Sequence, residues 1–99
     1  MNITKNSTSS GLELVVSGRI DTVTAPDLQV ELIPAFAEKA DVTLNLAAVN
    51  YISSAGLRVL LAAQKESKKQ NKKFVVTGVI PEVQEVFDMT GFSDILTIE

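Results

Sequence analysis

The sequence predicts one α/β domain in which a mixed β-sheet is covered by α-helices. Short runs of β-branched and aliphatic residues alternate along the chain with longer runs whose apolar residues recur at helical spacing. The order is two strands followed by three helix–strand pairs, and a helix between two strands favours their parallel pairing. With 99 residues, 45% of them hydrophobic, the chain has the size and apolar content of one globular domain, which we expect to span residues 1–99.

The first two strands are predicted to form a hairpin. The segment 6–11 contains only Asn, Ser, Thr and Gly, which are turn-forming residues, and it separates a strand over residues 2–5 from one over residues 12–17. Residues 20–23 either extend the second strand or form a loop. The hairpin would supply the antiparallel part of the mixed sheet.

The first helix is predicted to begin near Thr24. The Thr24 hydroxyl can cap the helix, Pro26 falls in the first turn where a missing N–H costs nothing, and Asp27 places negative charge near the positive end of the dipole. Pro34 lies inside this helix and is expected to bend it, and the helix should end near residues 39–40. Its apolar residues at helical spacing are Leu28, Leu32, Ala35 and Phe36.

The middle of the chain is predicted to form a central strand, a loop, a long helix and another interior strand. Apolar and polar residues alternate over 42–46, which is typical of a strand, whereas 47–52 is expected to be a loop. A helix follows over residues 54–70, and the β-forming residues 74–77 predict a strand. The residues expected on one face of this helix are Leu57, Leu60, Leu61 and Gln64. The core is expected to contain Leu57, Leu60, Leu61 and Phe87.

The last elements are predicted to be a helix that Pro81 opens and a short edge strand over residues 95–98. Gly91 suits the position just after the helix, where the backbone often takes a left-handed conformation. The apolar positions of this helix are Val83, Val86, Phe87 and Met89.

The composition excludes several classes of function. The chain has no Cys and no His, which removes thiolate nucleophiles, imidazole bases and the commonest zinc ligands, so we expect no enzyme, no metal site and no cofactor. Nine basic against twelve acidic residues give a net charge of −3, which argues against nucleic-acid binding. No apolar run reaches the ~18–20 residues of a membrane span, and residues 1–10 lack the apolar segment of a signal peptide. We therefore expect a cytoplasmic protein without a membrane partner.

Residues 51–58, Tyr-Ile-Ser-Ser-Ala-Gly-Leu-Arg, bring two hydroxyl groups to the start of the long helix. The first N–H groups of a helix lack internal partners and its dipole favours anions, so a phosphate on a serine at this place would be tolerated. The alternative is that Ser53 or Ser54 is only an N-cap and that Gly56 only permits close packing. Physical chemistry alone leaves both interpretations open.

Three motifs then stand in a recognisable order. The first is YISSAGLRVLL at 51–61, in which a serine pair and a Gly-Leu lead into a helix. The second is Gly-Arg-Ile-Asp at 18–21 with Ala-Pro at 25–26, and the third is Phe-Asp-Met-Thr-Gly-Phe at 87–92. Together they span essentially the whole chain, and their combination resembles the STAS-domain anti-sigma-factor antagonists. The resemblance implies a STAS-like domain with a mixed sheet covered by helices.

The resemblance also implies roles for the residues around the serine pair. Ser54 falls on the family's regulatory serine, two positions before Gly56, and a serine kinase that is also the anti-sigma factor would phosphorylate it. Ser53 stands where the family often has Asp, so a hydroxyl replaces a charge. For Asp21, an Asx-type turn after the strand is an equal alternative to a partner contact. The residues implied to contact the partner are Asp21, Ser53, Ser54, Gly56 and Arg58.

The implied function is that of an anti-sigma-factor antagonist. The unphosphorylated protein would bind the kinase/anti-sigma factor and free the sigma factor, phosphorylation at Ser54 would release the kinase, and a serine phosphatase would reset the switch. The first alternative is a STAS binding module in a kinase/phosphatase pathway with another output, such as secretion or biofilm regulation.

Other interpretations start from single features. Ser54 as an enzymatic nucleophile would need a Lys base, and no Lys lies near it in the sequence. A small-ligand or nucleotide-binding domain would be stabilised by its ligand. A lysine cluster is either an anion or phospholipid patch or, as we favour, the solvated end of the long helix. Its members are Lys65, Lys68, Lys69, Lys72 and Lys73.

Overall fold

The computed structural model describes residues 1–37 and 40–99, and within them five strands form one sheet in the order β1-β2-β3-β4-β5. The elements are β1 (Asn2–Ser7), β2 (Gly11–Ile20), α1 (Ala25–Ala37), β3 (Asp41–Ile52), α2 (Ser54–Lys69), β4 (Phe74–Thr77), α3 (Pro81–Thr90), α4 (Phe92–Ile95) and β5 (Thr97–Ile98). The predicted mixed α/β architecture is confirmed.

The sheet joins one antiparallel hairpin to a parallel series. β1 pairs antiparallel with β2, whereas β2, β3, β4 and β5 pair in parallel. Each helical crossover leads to the next strand on the same side, so crossovers of the usual right hand place α1, α2 and α3 on one face of the sheet. Burial follows this arrangement, because Leu14 and Leu44 are fully buried while Val15 and Asn45, on the opposite face, are half-buried. The ends of the parallel strands and the starts of the helices that follow them therefore meet at one edge of the sheet.

The core lies between this sheet face and the helices. Leu60 and Phe87 are fully buried and Leu57 is buried, as predicted. The prediction for Leu61 was wrong, since Leu61 is half-buried and stands outside the core cluster. Met89, one of the apolar positions of α3, is 79% exposed. In both helices the buried stripe is narrower than the set of apolar residues, so Leu61 and Met89 lie beside the stripe rather than in it.

β3 is longer than expected. The segment 47–52 was predicted to be a loop, but it continues the strand to Ile52 and pairs with the end of β2. The register shifts between Val15 and Ser17 and again between Gly18 and Arg19, so β3 holds extra residues opposite β2. Bulges of this kind break the alternation of buried and exposed side chains that marks a strand in the sequence.

The last strand is shorter than predicted, and the predicted end of α1 can be compared with the structure only in part. α4 (Phe92–Ile95) replaces the first residue of the predicted last strand, and β5 keeps only Thr97–Ile98 at the sheet edge. Pro34 lies inside α1 as expected, while part of that helix's predicted end, at residue 39, lies outside the described residues. Within 1–37 and 40–99, no helix is long and apolar enough to cross a membrane.

Candidate functional site

The two serines at the start of α2 have different roles in the structure. Ser53 is the N-cap: its backbone is extended and its Oγ accepts a hydrogen bond of 3.3 Å from the N–H of Gly56. Ser54 is the first helical residue, its side chain is exposed, and no described residue hydrogen-bonds its hydroxyl. One hydroxyl is therefore used by the fold, and the other faces solvent.

The end of β2 holds Ser53 in place. The N–H of Ser53 donates to the carbonyl oxygen of Ile20 over 2.8 Å, and the N–H of Leu57 donates to the carbonyl of Ser53 over 2.9 Å. The first bond ties the start of α2 to the residue that precedes Asp21. As a result, the loop after β2 and the serine pair lie side by side.

Gly56 lies beneath this site rather than on its surface. It is buried, and a Cβ at this position would stand 2.7 Å from both Ile20 Cγ2 and Ile52 Cγ1. Such distances are shorter than side-chain contacts allow, so glycine is what lets α2 approach the ends of β2 and β3. Gly56 therefore belongs to the packing beneath the serine pair, and its contact with a partner stays a prediction.

Asp21 organises the loop between β2 and α1. Its Oδ1 accepts hydrogen bonds of 3.0 Å from the N–H groups of Val23 and Thr24, and its carbonyl oxygen accepts one of 2.8 Å from Ala25 N–H. This is the geometry of an Asx-type turn that leads into a helix. The predicted cap at Thr24 was wrong, because the Thr24 hydroxyl accepts from Asp21 N–H and donates to the Arg19 carbonyl instead.

The same hydrogen bonds lower the pKa of the Asp21 carboxyl from its ordinary value of 3.8, with the Thr24 N–H as the largest cause. A carboxyl whose pKa is lower in the folded than in the unfolded protein stabilises the fold above its unfolded pKa. That stability is lost as the pH falls through the folded pKa. The Asp21 turn should therefore weaken under acid conditions.

Asp21→Asn and Asp21→Ala should separate the charge of Asp21 from its turn. Asparagine keeps an acceptor oxygen, so the Asp21→Asn protein should melt close to the parent at neutral pH. Because asparagine does not titrate, its melting temperature should decrease less than that of the parent as the pH is lowered. Alanine removes the acceptor, so Asp21→Ala should melt lower at neutral pH. Thermal unfolding from neutral pH into acid measures both effects, with the remaining acid dependence attributed in part to Asp88, whose pKa is also lowered. An Asp21→Ala protein as stable as the parent at neutral pH would contradict this account of the turn.

Three neighbouring residues were missed in the sequence. The Arg19 guanidinium stacks over the Tyr51 ring at 4.1 Å from its centroid, and Arg19 Nε lies 3.8 Å from Asp21 Oδ2. Val23, whose N–H the Asp21 carboxylate holds, is 82% exposed. Arg19 and Tyr51 are cross-strand partners only because of the bulges, so no local sequence pattern could pair them.

Arg58 lies one helical turn after Ser54 and lines a groove between α1 and α2. The groove has a volume of about 360 Å³, and we call it the α1–α2 groove. It is lined by Thr22, Ala25, Pro26, Gln29, Ala55, Arg58, Val59 and Ala62. We call Asp21, Ser53, Ser54 and Arg58 together the switch surface. The Ser53–Ile20 hydrogen bond brings the first three side by side, and Arg58 lies one helical turn further along α2.

This geometry can be set beside known proteins. The sequence model of the STAS domain matches residues 2–99. The chain belongs to the STAS domain family. Among its relatives, the anti-sigma-B factor antagonist of Staphylococcus epidermidis is 33% identical over 87 residues, which cover 87% of this chain and 81% of the relative. The resemblance noted in the sequence is thereby confirmed.

Solved structures of STAS proteins share the fold. An anti-sigma factor antagonist from Mycobacterium paratuberculosis superposes with a TM-score of 0.88 at 26% identity, covering 98% of this chain and 83% of the other. SpoIIAA, a Bacillus cell fate determinant solved in unphosphorylated and phosphorylated forms, superposes with TM-scores of 0.82 and 0.74 at 14% identity. It covers 99% of this chain, and 88% and 91% of the two SpoIIAA chains. At that identity SpoIIAA supports the STAS fold alone.

The lysine cluster lies at the far end of α2 from the switch surface. Lys68 and Lys69 are in the last turn of the helix, where the dipole favours cations, and both are exposed. The interpretation of this cluster as a solvated helix end stays a prediction.

Proposed function

We propose that this STAS protein is an anti-sigma-factor antagonist switched by phosphorylation of Ser54. The observation that supports the proposal is that the two serines have different roles. Ser53 caps α2, whereas the Ser54 hydroxyl is exposed and no described residue hydrogen-bonds it. The partner would be a serine kinase that is also an anti-sigma factor, and a serine phosphatase would remove the phosphate. The relatives named as anti-sigma-B factor antagonists support the same function.

The phosphate would change partner binding more than it changes the fold. A phosphoserine carries about −1.5 to −2 charges at neutral pH. At the first residue of α2 that charge meets the positive end of the helix dipole, which stabilises an anion by ~0.3–1 kcal/mol. A partner seated over Ser54 would instead have to accommodate the new charge and desolvate it. The chain would thus release its partner without unfolding.

The test is phosphorylation by the cognate kinase with ATP and Mg²⁺, followed by mass spectrometry of the modified peptide. We expect one phosphate on Ser54 and at least a tenfold loss of affinity for the kinase, which is about 1.4 kcal/mol or more. Ser54→Ala should remain unmodified and bound.

Ser53→Ala is the matched control for this test. It removes the neighbouring hydroxyl and costs ~0.5–2 kcal/mol of stability as a lost cap, but it should still be phosphorylated. Phosphate found on Ser53, or normal release of the Ser54→Ala protein, would overturn the proposal.

The remaining parts of the proposal concern its setting. We propose a regulatory binding protein without catalysis of its own, in which residues 1–99 form one domain that works in the cytoplasm. The second candidate, a STAS module whose kinase controls another output such as secretion or biofilm formation, uses the same switch. Identification of the kinase captured with the unmodified protein separates the two, because only an anti-sigma factor will also bind a sigma factor.

A further inference from the structure

We propose that Arg58 couples the state of Ser54 to the α1–α2 groove. With Ser54 unmodified, the Arg58 guanidinium is available at the groove for a carboxylate of the kinase. With Ser54 phosphorylated, it pairs with the phosphate of its own chain and leaves that carboxylate without a counter-charge. This inference rests on the proposed function and adds the residue that transmits the switch.

The position of Arg58 on α2 brings it within reach of Ser54. The two residues are four apart in one helix, and side chains at this spacing lie on the same face with their Cβ atoms about 5–6 Å apart. The anion would precede the cation along the helix, which is the more favourable order for an ion pair. Arg58 is exposed, and no described residue forms an ion pair or hydrogen bond with it.

Other cations are less suited to reach a phosphate on Ser54. Arg19 is stacked on the Tyr51 ring and lies beside the Asp21 carboxylate, so moving it would sacrifice both contacts. Lys65 lies eleven residues after Ser54 on the same helix, which is about 16 Å along its axis. Arg58 is therefore the cation in the described part of the chain that can turn to the phosphate without breaking an ion pair or a hydrogen bond.

The lining of the groove indicates what the unmodified protein binds there. Most of the described residues that line it are small or apolar, and Arg58 is the one among them that carries a charge. Thr22 and Gln29 add neutral polar groups at its side. The complementary feature on a kinase is an acidic side chain next to an apolar one: the carboxylate would meet Arg58, and the apolar group would cover Ala55 and Val59.

Phosphorylation would change the charge of this surface in two ways. A guanidinium and a phosphate can form two parallel hydrogen bonds, which makes their pairing stronger and more directional than a contact with a lysine. Once Arg58 is engaged, the kinase carboxylate faces a dianion without a cation between them. Repulsion and the loss of its ion pair then act together to release the kinase.

The first experiment needs no kinase. The chain is made with phosphoserine incorporated at position 54, and phosphorus NMR follows the second pKa of the phosphate in this protein and in its Arg58→Gln and Lys65→Gln variants. Arg58→Gln should raise that pKa by ~0.15–0.4 units, because a cation beside the phosphate favours the dianion. Lys65→Gln removes the same charge from the same helix and should leave the titration unchanged. The nearby charges of Arg19 and Asp21 are present in all three proteins.

The second experiment measures kinase affinity with and without phosphate on Ser54 for the same variants. We expect Arg58→Gln to weaken binding of the unmodified protein by about tenfold and to reduce the further loss on phosphorylation by threefold or more. Lys65→Gln should behave like the parent in both states. A phosphate pKa or a phosphorylation-dependent loss of affinity that Arg58→Gln leaves unchanged would overturn the role of Arg58 and leave the proposed function standing. A kinase that never modifies Ser54 would overturn the proposed function instead, and the phosphorus NMR result would still be interpretable.

Discussion

Leu60→Ala should lower the free energy of unfolding by ~2–5 kcal/mol. Leu60 is fully buried in the middle of α2, within the core cluster between the helices and the sheet. Removing three carbon atoms there forfeits their transfer from water and leaves a cavity that close-packed neighbours fill only in part. Because domains of this size are stable by about 5–15 kcal/mol, the variant should show a much lower urea midpoint while still folding.

Leu61→Ala is the matched control for that prediction. It deletes the same atoms from the next residue of the same helix, but Leu61 is half-buried and outside the core cluster. Its loss should therefore be clearly smaller than that of Leu60→Ala. Equal losses at the two positions would mean that α2 is rotated about its axis relative to the structure described here.

Helix positions could be predicted because their signals are local. Pro81 at the start of α3 and Gly91 at its end both mark a helix boundary by backbone chemistry, and α3 does begin and end there. The strand Phe74–Thr77 was likewise predicted with its observed bounds. In contrast, the length of β3 depends on how Ala48 and Tyr51 pair with β2 across two bulges. Such pairing is a tertiary property, and residues 47–52 carry no alternation that reveals it.

Local sequence signals predicted the serine pair at a helix start and a possible turn at Asp21, but physical chemistry alone did not decide what each side chain does there. The sequence placed Ser53 and Ser54 at the start of a helix, yet either could have been the cap. Which serine is the cap depends on where the helix begins. In the structure the N–H of Ser53 donates to the carbonyl of Ile20, and the helix begins at the next residue, Ser54. Asp21 is similar: its turn depends on N–H groups that only the folded loop turns towards its carboxylate.

Gly56→Ala should be the most damaging small substitution near the switch surface. Inside a helix alanine is normally favoured over glycine by ~0.5–1 kcal/mol, so on a solvent-facing turn the change would stabilise the protein. Here the added Cβ would meet Ile20 Cγ2 and Ile52 Cγ1 at 2.7 Å, and both of those side chains are themselves buried. Overpacking of this kind costs ~1–3 kcal/mol, which exceeds the gain in helix propensity. We therefore expect a net loss in urea unfolding.

A second substitution tests whether the clash is the cause. Ile52→Ala removes the Cγ1 atom that the new methyl group would meet, so Gly56→Ala combined with Ile52→Ala should be less destabilised than the sum of the single variants, by ~0.5–3 kcal/mol. Additive losses would contradict the packing role of Gly56. So would a Gly56→Ala protein that is as stable as the parent but binds its kinase poorly, because that combination requires Gly56 to touch the partner directly. In the structure Gly56 acts through packing, because its missing side chain lets the start of α2, which carries Ser54, approach the ends of β2 and β3.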